Sequence, residues 1–494
     1  MLKIYNTLGK NLEEFKPIKP GYVSIYVCGP TVYDYLHVGN FRGPVFFNLV
    51  KNWLEYLGYK VDYAVNFTDV DDKIIKRAGE EKKTPMEVTN FYIDEYKKDL
   101  AHLGLGPQTR NPRVSEHMPG IIKMISDLIE KKKAYTAAGL NNAHDVNYSI
   151  SEFKPYGKLS GRNPEELQSG VRIEVDEKKK SPLDFALWKS AKPGEISWPS
   201  PWGEGRPGWH IECSAMIHDL FGDKIDIHGG GLDLMFPHHE NEIAQSEGCS
   251  GKDFVGYWMH WNMINFGGAK MSKSLGNLVS LRDFFKQQHP EIYKWMMLSV
   301  HYRSTAEFVP ENIDRAIQGL AKVYSSLAMA ETVLHDCSVS EAKATFTHDA
   351  KYEAELAVAW KKIEDAMNDD FGTPAAFAVI FDTIRGYNAK NKRGMKLTAT
   401  TQSQGQQFVS FIKKFGSLLS LFQENAAQFL ISLDNQLLQQ AGVQRETVEG
   451  LVQERMAARL AKDFAKSDDL RKQLTDLKIL VSDLPTGSFW EVMK

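Results

Sequence analysis

Cysteine is scarce in this sequence: Cys28, Cys213, Cys249 and Cys337 are the only four among 494 residues. They are too few and too far apart to staple a chain of this size. They point to a reducing cytoplasm, where an important cysteine acts as a ligand or nucleophile. Long apolar runs are missing as well. None approaches the ~18–20 residues of a membrane span, so no membrane association is expected. There is no excess of positive charge, since the formal net charge is −3. That excludes a general polycation, and any nucleic-acid contact must use a local basic surface. The first thirty residues scatter Lys3, Lys10, Glu13, Glu14, Lys16 and Lys19 among apolar positions and lack the ordered regions of a signal peptide. What is present is ordinary globular composition, 43% hydrophobic and 25% charged, which excludes global disorder and collagen-like repeats. At roughly 150 residues per domain, the length suggests about three domains.

Residues 22–28, Tyr-Val-Ser-Ile-Tyr-Val-Cys, are β-branched and aromatic and stop at Gly29-Pro30, which predicts a buried strand ending in a turn. Phe46, Phe47, Val50, Trp53, Leu54 and Leu57 then recur at helical spacing up to Gly58, with Pro44 early enough to disturb the first turn. A second strand, Lys60 to Phe67, completes a βαβ unit, hence a parallel sheet with its site at the carboxyl ends of the strands. Residues 126–205, with Lys131-Lys132-Lys133, Asp176-Glu177 and scattered Gly and Pro, read as an inserted subdomain. From Arg206 the pattern resumes with a helix from Gly208 to Leu220 and a strand Lys224–His228 entering Gly229-Gly230-Gly231. Beyond about residue 310 it is almost purely helical. The last residues suggest a helix Val448–Leu474 and an apolar strand Ile479–Val481. The expected fold class is α/β. Its parallel-sheet domain, 1–125 and 206–310, is split by an insertion at 126–205 and followed by a helical bundle, 311–430, and a small mixed α/β module, 431–494.

Three stretches carry candidate metal ligands. Pro237-His238-His239-Glu240-Asn241-Glu242 is expected to open a helix. On it His238 and Glu242, four apart, share a face, while His239 points about 100° away. Such a pair is half of a zinc site, and Cys28 and Cys213 are the natural candidates to complete a tetrahedron. Cys28 ends the first strand, where an α/β active site belongs, and Cys213 lies near the start of the helix Trp209-His210-Ile211-Glu212-Cys213. The alternatives are a small core cysteine and a solvated helix face. Cys249 and Cys337 have no such company and read as structural.

Two further stretches suggest a nucleotide site. His37-Val38-Gly39-Asn40 lies between the first strand and its helix. There Gly39 lets backbone approach a phosphate, the helix amino end favours an anion, and His37 can donate a hydrogen bond. Lys270-Met271-Ser272-Lys273-Ser274 is flanked by Gly267-Gly268 and Gly276-Asn277. Two lysines three apart on a glycine-flanked loop suit capture of a pyrophosphate whose charge grows in the transition state.

His37-Val38-Gly39-Asn40 and Lys270-Met271-Ser272-Lys273-Ser274 resemble the two signature motifs of class I aminoacyl-tRNA synthetases. Longer blocks resemble the cysteinyl-tRNA synthetase family within that class: Tyr26–Asp34, Asn66–Lys73, Arg206–Ser214, and Asp226–Gly231 continuing through Asp233 to Glu242. The similarity extends through Asp369-Asp370-Phe371-Gly372-Thr373-Pro374 towards the carboxyl end. The resemblance implies a Rossmann-type catalytic domain with a connective insertion, a tRNA-binding helical bundle and an anticodon-binding module. It also implies one Zn2+ per chain on Cys28, Cys213, His238 and Glu242, with Trp209 walling the amino-acid pocket and Gly29 and Thr68 nearby. Serine differs from cysteine only by oxygen for sulfur, which an ordinary pocket separates poorly, whereas zinc prefers a thiolate and lowers its pKa. No separate editing domain is then needed.

The implied chemistry is attack of the carboxylate of L-cysteine on the α-phosphorus of ATP, giving cysteinyl-adenylate and pyrophosphate. Transfer to the 3′-terminal ribose of tRNA(Cys) follows. In this reading His37, Lys270 and Lys273 stabilise the transferring phosphate, Gly39 and Asn40 help hold ATP, Asp233 takes the ribose hydroxyls, and Mg2+ accompanies the triphosphate. A monomer is expected.

Asn40 stands where the general class I pattern has a second histidine, so it is assigned binding and not proton transfer. In the terminal module Phe464 stands where tryptophan is common in the family and Lys478 where glycine is common. Arg459, Asp468 and Asp483 are candidates for reading anticodon bases, with a salt-bridged helix surface as the alternative. Nine Lys/Arg face ten Asp/Glu over residues 431–494, so the module has no basic arm. Two competing functions stay open. One is a cysteine-activating ligase with a small-amine acceptor, which should lack the terminal module. The other is a non-catalytic RNA-binding paralogue, which should have lost the lysine loop or the zinc ligands.

Overall fold

The computed structural model describes residues 1–163, 179–267, 269–270, 279–339, 348–392, 395, 398–484 and 487–494. The chain forms two compact units. The first comprises Met1–Ile264, Tyr302–Thr305 and Asn368–Phe371, and the second comprises Asn265–His301, Ala306–Met367 and Gly372–Lys494.

The first unit begins with a hairpin of β1 (Lys3–Asn6) and β2 (Asn11–Glu14), followed by β3 (Tyr22–Val27). A short 3-10 turn, Val38–Phe41, leads into the helix Arg42–Tyr56, which absorbs Pro44 in its first turn. The chain then returns through β4 (Lys60–Val65), in register with β3 from Tyr22↔Lys60 to Val27↔Val65. A separate antiparallel sheet follows, made of β5 (Ala134–Ala138), β6 (His144–Tyr148), β7 (Phe185–Ser190) and β8 (Gly205–Pro207). The helix Trp209–Phe221 follows, then β9 (Ile225–Gly231), the helix Glu240–Ser250 and β10 (Val255–Trp261). The central sheet runs β10-β9-β3-β4, all parallel.

This order follows from composition. Every residue of β3 after Tyr22 and of β4 after Lys60 is buried, as continuous β-branched and aromatic runs require in a sheet covered on both faces. One core joins Tyr26, Ile225 and Trp258 of this sheet to Tyr148, Phe185 and Trp188 of the antiparallel sheet. The carboxyl ends of the two middle strands therefore lie side by side, and the Cys28 N–H donates to the Gly229 carbonyl at 3.1 Å.

Helix predominates in the second unit. After the strands Ile264–Phe266, Ala269–Lys270 and Ala306–Glu307 come the long helices Pro310–Val339, Ala350–Asn368, Thr373–Lys390, Ala399–Leu419 and Ala426–Gln440. The expected helix Val448–Leu474 is two helices, Arg445–Leu460 and Phe464–Asp476. Lys462 adopts φ 59° and Asp463 caps the second helix by accepting from the Lys466 N–H, so a left-handed residue and a cap break the run. The apolar strand is longer than expected: Ile479–Leu484 pairs antiparallel with Gly487–Val492. Among the described residues no helix is long and apolar enough to cross a membrane.

Candidate active site

Four side chains from three stretches of sequence meet beyond the carboxyl ends of β3 and β9. Cys28 follows β3, Cys213 lies in the first turns of the helix Trp209–Phe221, and His238 and Glu242 flank the start of the helix Glu240–Ser250. Their donor atoms all lie within 4.8 Å of one another. Cys28 Sγ is 3.9 Å from Cys213 Sγ and 3.6 Å from Glu242 Oε1, and His238 Nε2 is 2.9 Å from Glu242 Oε1. A tetrahedral zinc with Zn–S of ~2.3 Å sets two thiolates about 3.8 Å apart, and a thiolate and a carboxylate oxygen about 3.5 Å apart. The cluster fits such an ion. Of these three contacts the His238–Glu242 one is shorter than an ion would set, because the imidazole donates directly to the carboxylate.

Its electrostatics are those of a buried donor set. Cys213, His238 and Glu242 are almost wholly buried. The hydrogen bond from Cys28 draws the Cys213 thiol down to about 6, while burial and the neighbouring Cys213 push the Cys28 thiol up. Burial alone would raise Glu242, but His228 and His238 hold it at about 2. Burial would likewise depress His238, yet the Glu242 carboxylate and hydrogen bonds to Cys213 and Glu242 hold it at about 10. A thiolate, a carboxylate and a proton-hungry imidazole crowd one dry spot, and a divalent cation would replace the His238 proton there.

The expected direction of His239 is corrected. Residues Met235–His239 form a wide turn with Phe236 extended (φ −141°, ψ 131°), and the regular helix starts only at Glu240. Helical periodicity therefore does not apply before Glu240. His239 Nε2 lies 3.4 Å from Cys28 Sγ, and Cys28, His228, His239 and Glu242 form a second close donor group. His228, His239 and His260 were not picked out as site residues from sequence, although all three line the cluster. His228 Nε2 donates to Glu242 Oε2 at 2.9 Å, His239 Nδ1 meets His260 Nε2 at 2.8 Å, and His260 Nδ1 meets Thr7 Oγ1 at 3.0 Å. Burial and neighbouring histidines push His239 well down and His260 to about 3, so both rings are neutral. The available signal was the density of histidine in 228–239, but His228 reaches the cluster from β9 and His260 from β10, and the turn brings His239 to them.

The other expected pocket residues adjoin this cluster. Trp209 opens its helix, is 45% exposed and stacks on His238 with ring centroids 4.4 Å apart at 23°. At Gly29 a Cβ would sit 1.7 Å from the Asn66 carbonyl oxygen, so only glycine fits. Asn66, another residue missed in sequence, links the pieces. Its Oδ1 accepts from the Gly29 N–H at 2.9 Å and lies 4.0 Å from Cys213 Sγ, and its amide donates to Thr68 Oγ1 at 3.4 Å. Thr68 itself is buried.

His37 caps the Val38–Phe41 turn, and its N–H donates to Asn40 Oδ1 at 3.1 Å. Thus Asn40 braces the turn, and Gly39 sits within it beside the His37 ring. Asp233 is exposed on the 3-10 turn Leu232–Leu234 that follows β9. The backbone of Lys270 pairs with Asn265 in the second unit, while Lys273 lies outside the described residues. In the terminal module Asp483 accepts both Arg455 guanidinium nitrogens at 2.7 and 2.9 Å and lies 3.2 Å from Arg459. Asp468 is exposed on the helix Phe464–Asp476. Arg455, buried in this pairing, had not been singled out. Cys249 is half-buried and lies apart from the cluster, and the side chain of Cys337 is outside the described residues.

A family model for the class I (C) tRNA synthetase catalytic domain matches residues 14–318, and a DALR-domain model matches 362–423. A cysteine–tRNA ligase of Bdellovibrio bacteriovorus is 61% identical over 494 residues, covering 100% of both chains. One from Geobacter metallireducens is 43% identical over 492 residues, covering 99% of both. Among solved structures, Mycobacterium tuberculosis methionyl-tRNA synthetase in complex with methionyl-adenylate superposes with TM-score 0.62 at 13% identity, over 83% of this chain and 93% of that one. A putative arginyl-tRNA synthetase of Campylobacter jejuni gives TM-score 0.56 at 14% identity, over 82% and 94%. These two share the fold.

Proposed function

The chain belongs to the cysteine–tRNA ligases, class I aminoacyl-tRNA synthetases, and from that membership we propose which of its residues perform the reaction. The small-amine ligase and the non-catalytic paralogue are not favoured, because the match to a cysteine–tRNA ligase runs the full length of the chain.

The observation that carries the reading is the four-donor cluster of Cys28, Cys213, His238 and Glu242 at the carboxyl ends of adjacent parallel strands. In this proposal those residues hold one zinc ion. When bound, zinc supplies a soft Lewis-acid position that takes the thiolate of cysteine in preference to the hydroxyl of serine. Trp209 walls the pocket, which its stacking on His238 supports. Gly29 and Thr68, tied through Asn66, shape the side nearest Cys213.

For activation, the cysteine carboxylate attacks the α-phosphorus of ATP and pyrophosphate leaves. His37, Lys270 and Lys273 stabilise the transferring phosphate. Gly39 and Asn40 shape the turn that receives ATP, and Asp233, exposed after β9, accepts from the ribose hydroxyls. These groups bind and orient, so the catalysis is positional and electrostatic. Mg2+ accompanies the triphosphate. The terminal ribose of tRNA(Cys) then takes the cysteinyl group from the adenylate. We assign residues 1–125 and 206–310 to the catalytic domain, 126–205 to the connective insertion, 311–430 to the tRNA-binding bundle and 431–494 to the anticodon module. Arg459, Asp468 and Asp483 are the anticodon candidates. The protein acts as a cytoplasmic monomer in this reading.

ATP-dependent attachment of labelled cysteine to purified tRNA(Cys), with serine in excess, tests it. Charging should be insensitive to serine and should fail after zinc is stripped. Charging that serine inhibits in proportion to its concentration would sink the thiolate-selection account.

A further inference from the structure

Glu240 and Asn241 stand between the expected ligands His238 and Glu242, and both are buried. Neither is a donor in the metal cluster. Both are tied instead to one stretch of the same unit, Tyr156–Arg162. The two Glu240 carboxylate oxygens accept from the Gly157 N–H and the Ser160 N–H, each at 2.8 Å. Asn241 Oδ1 accepts from the Tyr156 hydroxyl at 2.5 Å. A buried carboxylate is costly unless it is hydrogen-bonded, and charge-assisted bonds to backbone N–H groups are among the stronger ones.

Further ties lie on either side of the ligand pair. Before it, the Arg162 guanidinium lies over the Phe236 ring, 4.4 Å from its centroid. After it, Lys158 Nζ meets the two Glu247 oxygens at 2.8 and 2.6 Å. Gly157 lets the stretch fold back on itself, so that both of its ends reach this element. Its φ is 95°, and a Cβ there would lie 2.0 Å from the Arg162 carbonyl oxygen. The ties fall where the chain lacks regular support. Phe236 is extended within Met235–His239, so helical periodicity does not set His238 against Glu242. Their 2.9 Å contact depends on what holds the turn from outside.

We propose that Glu240 and Asn241 are positioning residues for the metal centre, holding the wide turn against Tyr156–Arg162 so that His238 and Glu242 keep the spacing a zinc ion needs. The proposal rests on the reading of Cys28, Cys213, His238 and Glu242 as zinc ligands. Glu240 and Asn241 are not ligands and act through the two residues that flank them.

The test uses the full chain with zinc, and with Co2+ as a spectroscopic probe. Glu240→Gln keeps the shape but turns an amide –NH2 towards one of the two N–H donors. Zinc affinity, measured by chelator competition, should fall about 10- to 100-fold, as it does for other partners of metal ligands. The visible bands of the Co2+-loaded variant should weaken as the ligand set departs from a tetrahedron. Lys158→Met loosens the same stretch away from the ligand pair and should leave zinc affinity within about twofold of wild type. Wild-type zinc affinity and an unchanged Co2+ spectrum in Glu240→Gln would overturn the positioning role alone. An equal loss in Lys158→Met would overturn it too, since general loosening would then explain the effect. A wild-type chain that takes up neither metal would overturn the ligand reading, and the positioning role with it. Should Glu240→Gln not fold, Tyr156→Phe removes only the tie to Asn241. It should lower zinc affinity about 2- to 10-fold, the contribution of one hydrogen bond, and no loss there would equally overturn the proposal.

Discussion

The metal cluster of the first unit and the charged surface of the terminal module were both expected to be sites, and they differ in how their polar groups are satisfied. Cys28 and Glu242 are 214 residues apart in sequence, yet their donor atoms lie 3.6 Å apart inside a packed core. The groups there satisfy one another only in part, with thiolate, carboxylate and imidazole held together away from water. In the terminal module the part-exposed Asp483 accepts a fork from the buried Arg455 and a further contact from Arg459. Crowded like donors in a dry core call for a ligand, whereas opposite charges near a surface offset one another.

The largest expected effect breaks the first region. Cys213→Ser should lose bound zinc and reduce cysteine-dependent exchange together, by more than about 10²-fold, because even partners of metal ligands cost 10–100-fold when removed. Full zinc occupancy with normal exchange in that variant would end the metal assignment. His228→Phe sharpens the same comparison more gently. It keeps the ring that stacks on Trp258, with centroids 4.6 Å apart, but removes the donor to Glu242. Zinc affinity, measured by chelator competition, should fall about 10- to 100-fold, and unchanged affinity would make His228 mere packing.

The smallest effect belongs to the terminal module. Asp483→Asn leaves the Arg455 guanidinium, 3% exposed, without its carboxylate. Stability should drop by about 1–2 kcal/mol, a range kept low because Asp483 is one-third solvent-exposed. Wild-type melting with a tenfold loss of charging would instead mark Asp483 as a base reader. The pH dependence has a definite sign. Arg455 first, then Ser488 and Arg459, hold the Asp483 carboxyl well below its usual range. Its stabilisation is therefore present above the unfolded value of about 3.9 and is lost as pH falls below that towards the depressed folded value. A melting midpoint independent of Asp483 across this acid window would show that the pair contributes nothing.

Much of the site could be read in the chain itself. The βαβ beginning and the strand entering Gly229-Gly230-Gly231 follow from local patterns, because strand and helix periodicity is written in consecutive residues, whereas Cys28, Cys213, His238 and Glu242 could be read as ligand types and meet only in the tertiary structure. Where local geometry departs from a regular element, periodicity misleads. The wide turn at Met235–His239 brings His239 onto Cys28, and left-handed Lys462 divides what looked like one helix. Composition, elements and ligand types were thus determined by the sequence alone. The inward stack of His228, His239 and His260 and the bridging Asn66 were decided only in the tertiary structure. Each depends on groups far apart in the chain meeting at one buried point, where packing and hydrogen-bond satisfaction, and not local propensity, choose the partner.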